Sequence, residues 1–210
     1  MGENSRLIDY FIMQFGDTKS KSKFTHKLTL YLEFRKARSN FCQSLAAYSL
    51  VCYILQIKDR HNGNIMVDIE GHIMHIDFGF LLSNAPGKGI KFEQAPFKLT
   101  AEMVEVLGGI KTKKFREYRE QMRLGFMAVQ EHADKVVKLV EMMFLGQNDL
   151  PCFQLGEDLI ANLKQRVLPE GRLMNEMEAA RFVDNLIENS FDNWRTRAYD
   201  KFQYCCQGIV

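Results

Sequence analysis

The sequence predicts an α+β domain, predominantly helical, built around one small β-hairpin. Three observations carry this. Ile65 to Ile69 and Ile73 to Phe78 are short apolar-rich runs separated by Glu70-Gly71-His72, the pattern of a tight hairpin. On both sides of that hairpin, apolar residues recur at helical spacing and capping residues mark helix starts. The composition is that of an ordinary globular chain, 46% hydrophobic and 26% charged over 210 residues, with length enough for one core and hence one lobe or domain.

Taken in order, Leu7 to Phe15 is predicted as a short amphipathic helix. Asn40 to Ile57 is a long one, hydrophobic nearly all round and therefore central and buried. Between them, residues 17–39 hold seven Lys or Arg against two acids, with Ser and Thr interleaved. This stretch reads as a solvated surface loop or as a contact to anionic lipid headgroups, where each basic residue contributes about 1 kcal/mol. After the hairpin, residues 81–98 include the breaker-rich run Ser83-Asn84-Ala85-Pro86-Gly87-Lys88-Gly89, which cannot hold a regular element.

The remainder reads as helical scaffold. Thr100 caps a helix to Leu107 that Gly108-Gly109 stops, and Thr112 caps the next, Lys113 to Val129. Val136 to Phe144 follows, and Asn175 with Glu178 forms a capping-box start for a helix through Ile187. The last helix, Phe191 to Gln207, interleaves Trp194, Tyr199, Phe202 and Tyr204 with Arg195, Arg197 and Lys201. That mixture suits a membrane interface, and equally a terminal helix docked on the lobe.

Composition also excludes. A net charge of +2 does not supply the strongly basic stripe of a nucleic-acid binder. Five cysteines without a CxxC pair fit reduced thiols better than a disulfide framework. No run of eighteen apolar residues is present, so any membrane contact is expected to be peripheral.

The chemistry lies in two motifs: Asp59-Arg60-His61-Asn62-Gly63-Asn64, then His75-Ile76-Asp77-Phe78-Gly79. If Glu70 and Gly71 are the two turn residues, counting back along both strands sets Asn64 opposite Asp77, about 5 Å apart in an antiparallel ladder. Two oxygen-bearing side chains at that separation suit a hard cation, since Mg²⁺ takes one or two protein ligands plus phosphate oxygens and waters. Asn64 and Asp77 are therefore the candidate metal ligands. A zinc site from His61, His72 and His75 is disfavoured by its spacing and by the lack of a nearby Cys pair.

In protein kinases a catalytic-loop Asn and the Asp of Asp-Phe-Gly hold Mg²⁺ on the ATP phosphates. Here the loop order is Asp-Arg-His instead of His-Arg-Asp. That reversal, with His75-Ile76 ahead of Asp77-Phe78-Gly79, resembles the phosphatidylinositol 3- and 4-kinase superfamily. Phe97-Lys98-Leu99-Thr100, Leu150-Pro151-Cys152-Phe153 and Tyr199-Asp200-Lys201-Phe202-Gln203-Tyr204 look most like a type III 4-kinase of the beta kind.

The resemblance implies the carboxyl-terminal lobe of a protein-kinase-like fold over residues 1–210, with residues 17–39 a basic insertion and 81–98 the activation loop. It implies ATP with Mg²⁺ or Mn²⁺ as cofactors and membrane phosphatidylinositol as substrate, phosphorylated at the 4-hydroxyl. A 3-kinase and a non-enzymatic binding derivative are the alternatives. Asp59 or His61 would take the hydroxyl proton, and Arg60 would fix the loop or neutralise phosphate. Lys88, Lys91 and Lys98 would face the inositol headgroup, or merely keep an exposed loop soluble. The phosphate-covering loop and ATP-pairing Lys of an amino-terminal lobe are not found before Asp59, so that lobe is expected in cis or trans, and the chain alone is expected to turn over little. The resemblance further suggests a cytoplasmic protein at Golgi or other cytosol-facing membranes, with the terminal helix beside the active site and near the lipid.

Overall fold

A computed structural model describes residues 6–16, 24–85 and 94–207, the side chains of 24–28, Cys206 and Gln207 excepted. Among these residues eight helices surround a two-stranded antiparallel sheet. In chain order they are α1 (Leu7–Phe15), α2 (Phe24–Leu55), β1 (Ile65–Val67), β2 (Ile73–His75), α3 (Ala101–Val106), α4 (Lys113–Glu131), α5 (Ala133–Gly146), α6 (Glu157–Val167), α7 (Glu176–Ser190) and α8 (Trp194–Gln207). Short 3₁₀ turns cover Asn62–Asn64 and Pro151–Phe153.

Helix α2 is the axle. Its 32 residues run for roughly 48 Å at 1.5 Å each. Phe34, Ala37, Phe41, Leu45 and Cys52 are buried at spacings of three, four and seven, and they pack in one core with Tyr118, Met122 and Phe126 of α4 and Val183 and Ile187 of α7. The loop reading of the basic stretch is corrected here: residues 24–39 are helical, because Phe34 and Ala37 extend the apolar stripe while Glu33, Arg35 and Lys36 stay exposed. Residues 17–23 lie outside the described residues. A second core gathers Ile54, Val137, Val140, Phe153, Leu159 and Leu163 between α5 and α6. Sequence reasoning missed α6, although Leu159, Leu163 and Val167 recur every four residues.

The caps form as the residue types dictate. Thr100 and Thr112 accept the N–H groups of Met103 and Phe115, and Asn175 with Glu178 closes a reciprocal capping box. Helix α8 starts three residues later than its aromatic pattern suggests. Phe191 bridges Leu99, the Asp192 N–H donates to Leu99 O at 2.8 Å, and Asn193 Oδ1 accepts the Arg195 N–H at the first turn.

The hairpin differs from expectation by one residue. Ile65 pairs with His75, Met66 with Met74 and Val67 with Ile73. The turn therefore holds Ile69, Glu70 and Gly71, with Asp68 facing His72 (N to O, 2.9 Å). Asp68 sets this longer turn, its Oδ1 accepting the N–H groups of both Glu70 and His72. Gly71 takes the left-handed conformation, φ +88°, that ends a three-residue turn. It also lies against α2, where a Cβ would come within 2.8 Å of Ala37 Cβ.

Candidate active site

The one-residue shift moves the candidate metal ligands. Asn64 stands opposite Ile76, whose N–H donates to Asn64 O at 3.0 Å, so Asp77 lies one position beyond the pair. A slip of one residue turns a side chain to the other face of a ladder. The direct opposition of Asn64 and Asp77 is therefore corrected; Asp77 lies beyond the end of β2 with a left-handed backbone, φ +56°. Asp59 also has a left-handed backbone, φ +64°. Outside glycine such conformations are uncommon, with Asp among the residues that tolerate them, and they cluster at functional sites.

Arg60 holds the two motif segments together. It is 3% exposed; its Nε donates to Lys58 O at 3.0 Å and its Nη1 to Ile76 O at 2.7 Å, while Nη2 donates to Asp77 O. Its guanidinium lies 5.7 Å from the Phe78 ring centroid. Three backbone carbonyls on one planar fork fix the catalytic loop against the Asp-Phe-Gly segment. The same two segments are tied at their base, Lys58 N–H to Phe80 O at 2.9 Å and Leu82 N–H to Leu55 O at 2.7 Å. Of the two roles expected for Arg60, the loop-fixing one is what these bonds describe.

Asn64 is buried, and its Nδ2 donates to Asp59 O at 2.9 Å. Only the amide nitrogen can donate to a carbonyl, so the orientation is set and the amide oxygen is the acceptor left for a cation. Asp77 is exposed, with Oδ1 accepting the Gly79 N–H at 3.0 Å. Buried His61 brings Nε2 to 3.9 Å from Asp59 Oδ1, and its Nδ1 finds no hydrogen-bond partner among the described residues. A buried polar atom without a partner is costly and calls for an explanation, a bound water, ion or ligand atom among them.

The other histidines have separate partners. His72 Nδ1 lies 2.9 Å from Asp68 Oδ2 at the hairpin turn. His75 stacks on Tyr48 at 4.3 Å and approaches Cys52 Sγ at 3.4 Å. Burial, then the charges of Arg60 and Lys98, push His75 down to about 4, so it is a neutral packing group behind Asp77.

Lys98 is a further correction. Its side chain is only 2% exposed, with Nζ 2.7 and 2.8 Å from the Asp200 carboxylate and 2.8 Å from Asn62 Oδ1. It is neither headgroup-facing nor a solubilising loop lysine. It ties α8 to the catalytic loop. Lys88 and Lys91 lie outside the described residues.

The resemblance set the terminal helix beside the active site, but the sequence did not single out which residues of α8 reach it. Tyr199, 4% exposed, donates its hydroxyl to Asp59 Oδ1, and Gln203 Nε2 donates to the Tyr199 hydroxyl at 2.7 Å. Thr196, Tyr199 and Gln203 are the inner face of α8; Trp194, Phe202 and Tyr204 are exposed. Positions 196, 199 and 203 share one face of a helix, a signal present in the sequence but hidden by the aromatic and basic residues beside it.

A model of the phosphatidylinositol 3- and 4-kinase family matches residues 2–155. A phosphatidylinositol 4-kinase of Dictyostelium discoideum is 46% identical over 97% of this chain and 16% of its own length. Phosphatidylinositol 4-kinase PIK1 of Saccharomyces cerevisiae is 44% identical over 99% of the chain and 18% of its own length. Phosphatidylinositol 4-kinase beta of Rattus norvegicus is 43% identical over 97% and 23%. The chain thus spans under a quarter of the length of these relatives, and across its own length the motifs, the hairpin and the identity agree: it belongs to the phosphatidylinositol 3- and 4-kinase family.

Proposed function

We propose that the chain is the part of an ATP-dependent lipid kinase that carries the catalytic loop and the Asp-Phe-Gly segment, transferring phosphate to the 4-hydroxyl of phosphatidylinositol. The observation that supports the reading is the Arg60 clamp, which ties the loop at Lys58 to the backbone of Ile76 and Asp77, while Asn64 is tied to the backbone of Asp59. The relatives named above are 4-kinases, which favours position 4.

The residues fit a hard divalent cation. Asn64 offers an amide oxygen and Asp77 a carboxylate, and among the described residues no three His, Cys, Asp or Glu side chains converge, as suits an ion sharing its shell with nucleotide phosphates. Mg²⁺ or Mn²⁺ held there would neutralise charge on the phosphate oxygens. Asp59 accepts or orients the proton of the inositol hydroxyl through its carboxylate, whose Oδ1 is held by Tyr199. His61 Nδ1, which finds no hydrogen-bond partner among the described residues, donates to a substrate oxygen or accepts from a substrate hydroxyl. The work of these groups is alignment and charge stabilisation, which phosphoryl transfer chiefly needs.

The described elements ahead of Asp59 are α1 and α2, so in this proposal the phosphate-covering loop and its Lys come from outside these residues, in cis or trans. Contact with the membrane is peripheral, through Trp194, Phe202 and Tyr204 on the outer side of α8. Among the described residues no helix is long and apolar enough to cross a membrane.

The test is a chimera in which this chain replaces the matching segment of the Saccharomyces kinase. The proposal expects ATP-dependent labelling of phosphatidylinositol, with a deacylated product that chromatographs as the 4-phosphate. A 3-phosphate product would overturn the position, and absence of transfer from a folded chimera would overturn the activity.

A further inference from the structure

We propose that the corner where α2 meets the start of α4 is a docking surface for an anionic membrane, with Ile110 entering the headgroup layer and Arg35, Lys111, Lys113 and Arg116 meeting the lipid headgroups. Helix α2 passes directly beside the α3–α4 turn: Arg38 Nη2 donates to Leu107 O at 2.7 Å, and Cys42 Sγ lies 3.7 Å from Lys114 O. Arg35 and Tyr31 lie one and two turns ahead of Arg38 on that side of α2, with the Arg35 guanidinium 5.5 Å from the Tyr31 ring centroid. Two residues that the sequence separates by more than seventy positions, Arg35 and Lys111, thereby belong to one surface.

The turn is built to hold an apolar tip outward. Gly108 and Gly109 are both left-handed, φ +90° and +100°, and Ile110 after them is 53% exposed. Thr112 locks the loop from within, its Oγ1 bonded to Leu107 O at 3.0 Å and to Gly109 O at 2.8 Å. The tip is thus ordered before it meets a partner, which lowers the cost of binding.

Around it cations outnumber carboxylates among the described residues, although Glu117, paired with Lys114, also feels the charge of Lys113. Arg35, Lys111, Lys113 and Arg116 are exposed and form no ion pair among the described residues. The carboxylates nearest in sequence are engaged or turned away. Glu117 pairs with Lys114, Glu70 with Lys36 and Glu105 with Arg6; Glu33 lies about 200° around α2 from Arg35. An apolar side chain ringed by cations suits a lipid surface, where the apolar group reaches the acyl boundary and the cations stay among anionic headgroups. A membrane is favoured over an acidic protein because the proposed substrate is an anionic membrane lipid; to that extent the inference rests on the lipid-kinase reading.

The test is sedimentation of the 210-residue chain with vesicles of phosphatidylcholine alone and of phosphatidylcholine with phosphatidylserine. Partition onto the anionic vesicles is expected to weaken with salt. It should fall about 25-fold in Lys111→Ala/Lys113→Ala, at about fivefold per cation, and fall again in Ile110→Ser. Wild-type partition in both variants, or no binding by the parent chain, would overturn the proposal. Phosphatidylserine is not the proposed substrate, so this result stands apart from the kinase reading. That reading is tested separately on phosphatidylinositol in neutral detergent micelles, where the double variant of the chimera should act as its parent does.

Discussion

Replacing Asp200 by Ala removes the partner of a buried ammonium group. Lys98 is 2% exposed and Asp200 22%, with Nζ 2.7 and 2.8 Å from the two carboxylate oxygens. Breaking a buried pair by deleting one partner costs about 3–5 kcal/mol, since the surviving charge is stranded. Asn62 Oδ1 still accepts from Lys98 at 2.8 Å and Asp200 is partly hydrated, which places the loss near the lower end, at roughly 3 kcal/mol. That corresponds to about a 150-fold shift in an opening equilibrium. Because the pair joins α8 to the segment before α3, the shift should appear in α8 first. Hydrogen exchange read by mass spectrometry should lose about a hundredfold protection over residues 196–205, with α4 and α7 unchanged. Lys98→Met in the same chain removes the stranded charge and should restore part of the protection. Unchanged α8 exchange in Asp200→Ala would refute the claim that this ion pair docks the helix.

Tyr199→Phe deletes the donor to Asp59 while keeping the ring. A hydrogen bond to a charged group contributes about 1.5–3 kcal/mol, so the chimera should lose about tenfold or more in kcat with KM for ATP unchanged; an unaltered kcat would remove Tyr199 from the site. Arg60→Lys keeps the charge but cannot reach three carbonyls at once, and should lower both the melting temperature and turnover, whereas wild-type values would count against the clamp. Burial pushes the Cys42 thiol up to about 11, so mass spectrometry of the folded chain alkylated at mildly alkaline pH should show exposed Cys205 modified well before Cys42, and equal labelling would contradict the packing of α2 on α4.

How far the sequence alone reaches depends on where the determining interaction lies. Helices α3, α4 and α7 were legible because Thr100, Thr112 and Asn175 act locally on the next turn. Both motif segments were legible for the same reason. The hairpin register was not, because a two-residue Glu70-Gly71 turn and the three-residue turn set by Asp68 share the same composition, and the difference rests on side-chain bonds from Asp68. The first half of α2 was hidden by the Lys-Ser alternation of residues 19–23 that runs into it, although Phe34 and Ala37 already mark the buried face. Lys98, Tyr199 and Asp200 were beyond reach for a different reason: their partners are 36 to 140 residues away, and no local pattern encodes such pairings.

The central claim is that Asp59, Asn64 and Asp77 form a phosphoryl-transfer centre, and Asp77→Ala in the chimera tests it most directly. Asp77 is exposed and, among the described residues, its carboxylate bonds locally, to the Gly79 N–H, so the variant should keep the parent's helix content and melting temperature. The account predicts that transfer from ATP to phosphatidylinositol falls by about a thousandfold or more in that folded variant. Substantial transfer by folded Asp77→Ala would contradict it.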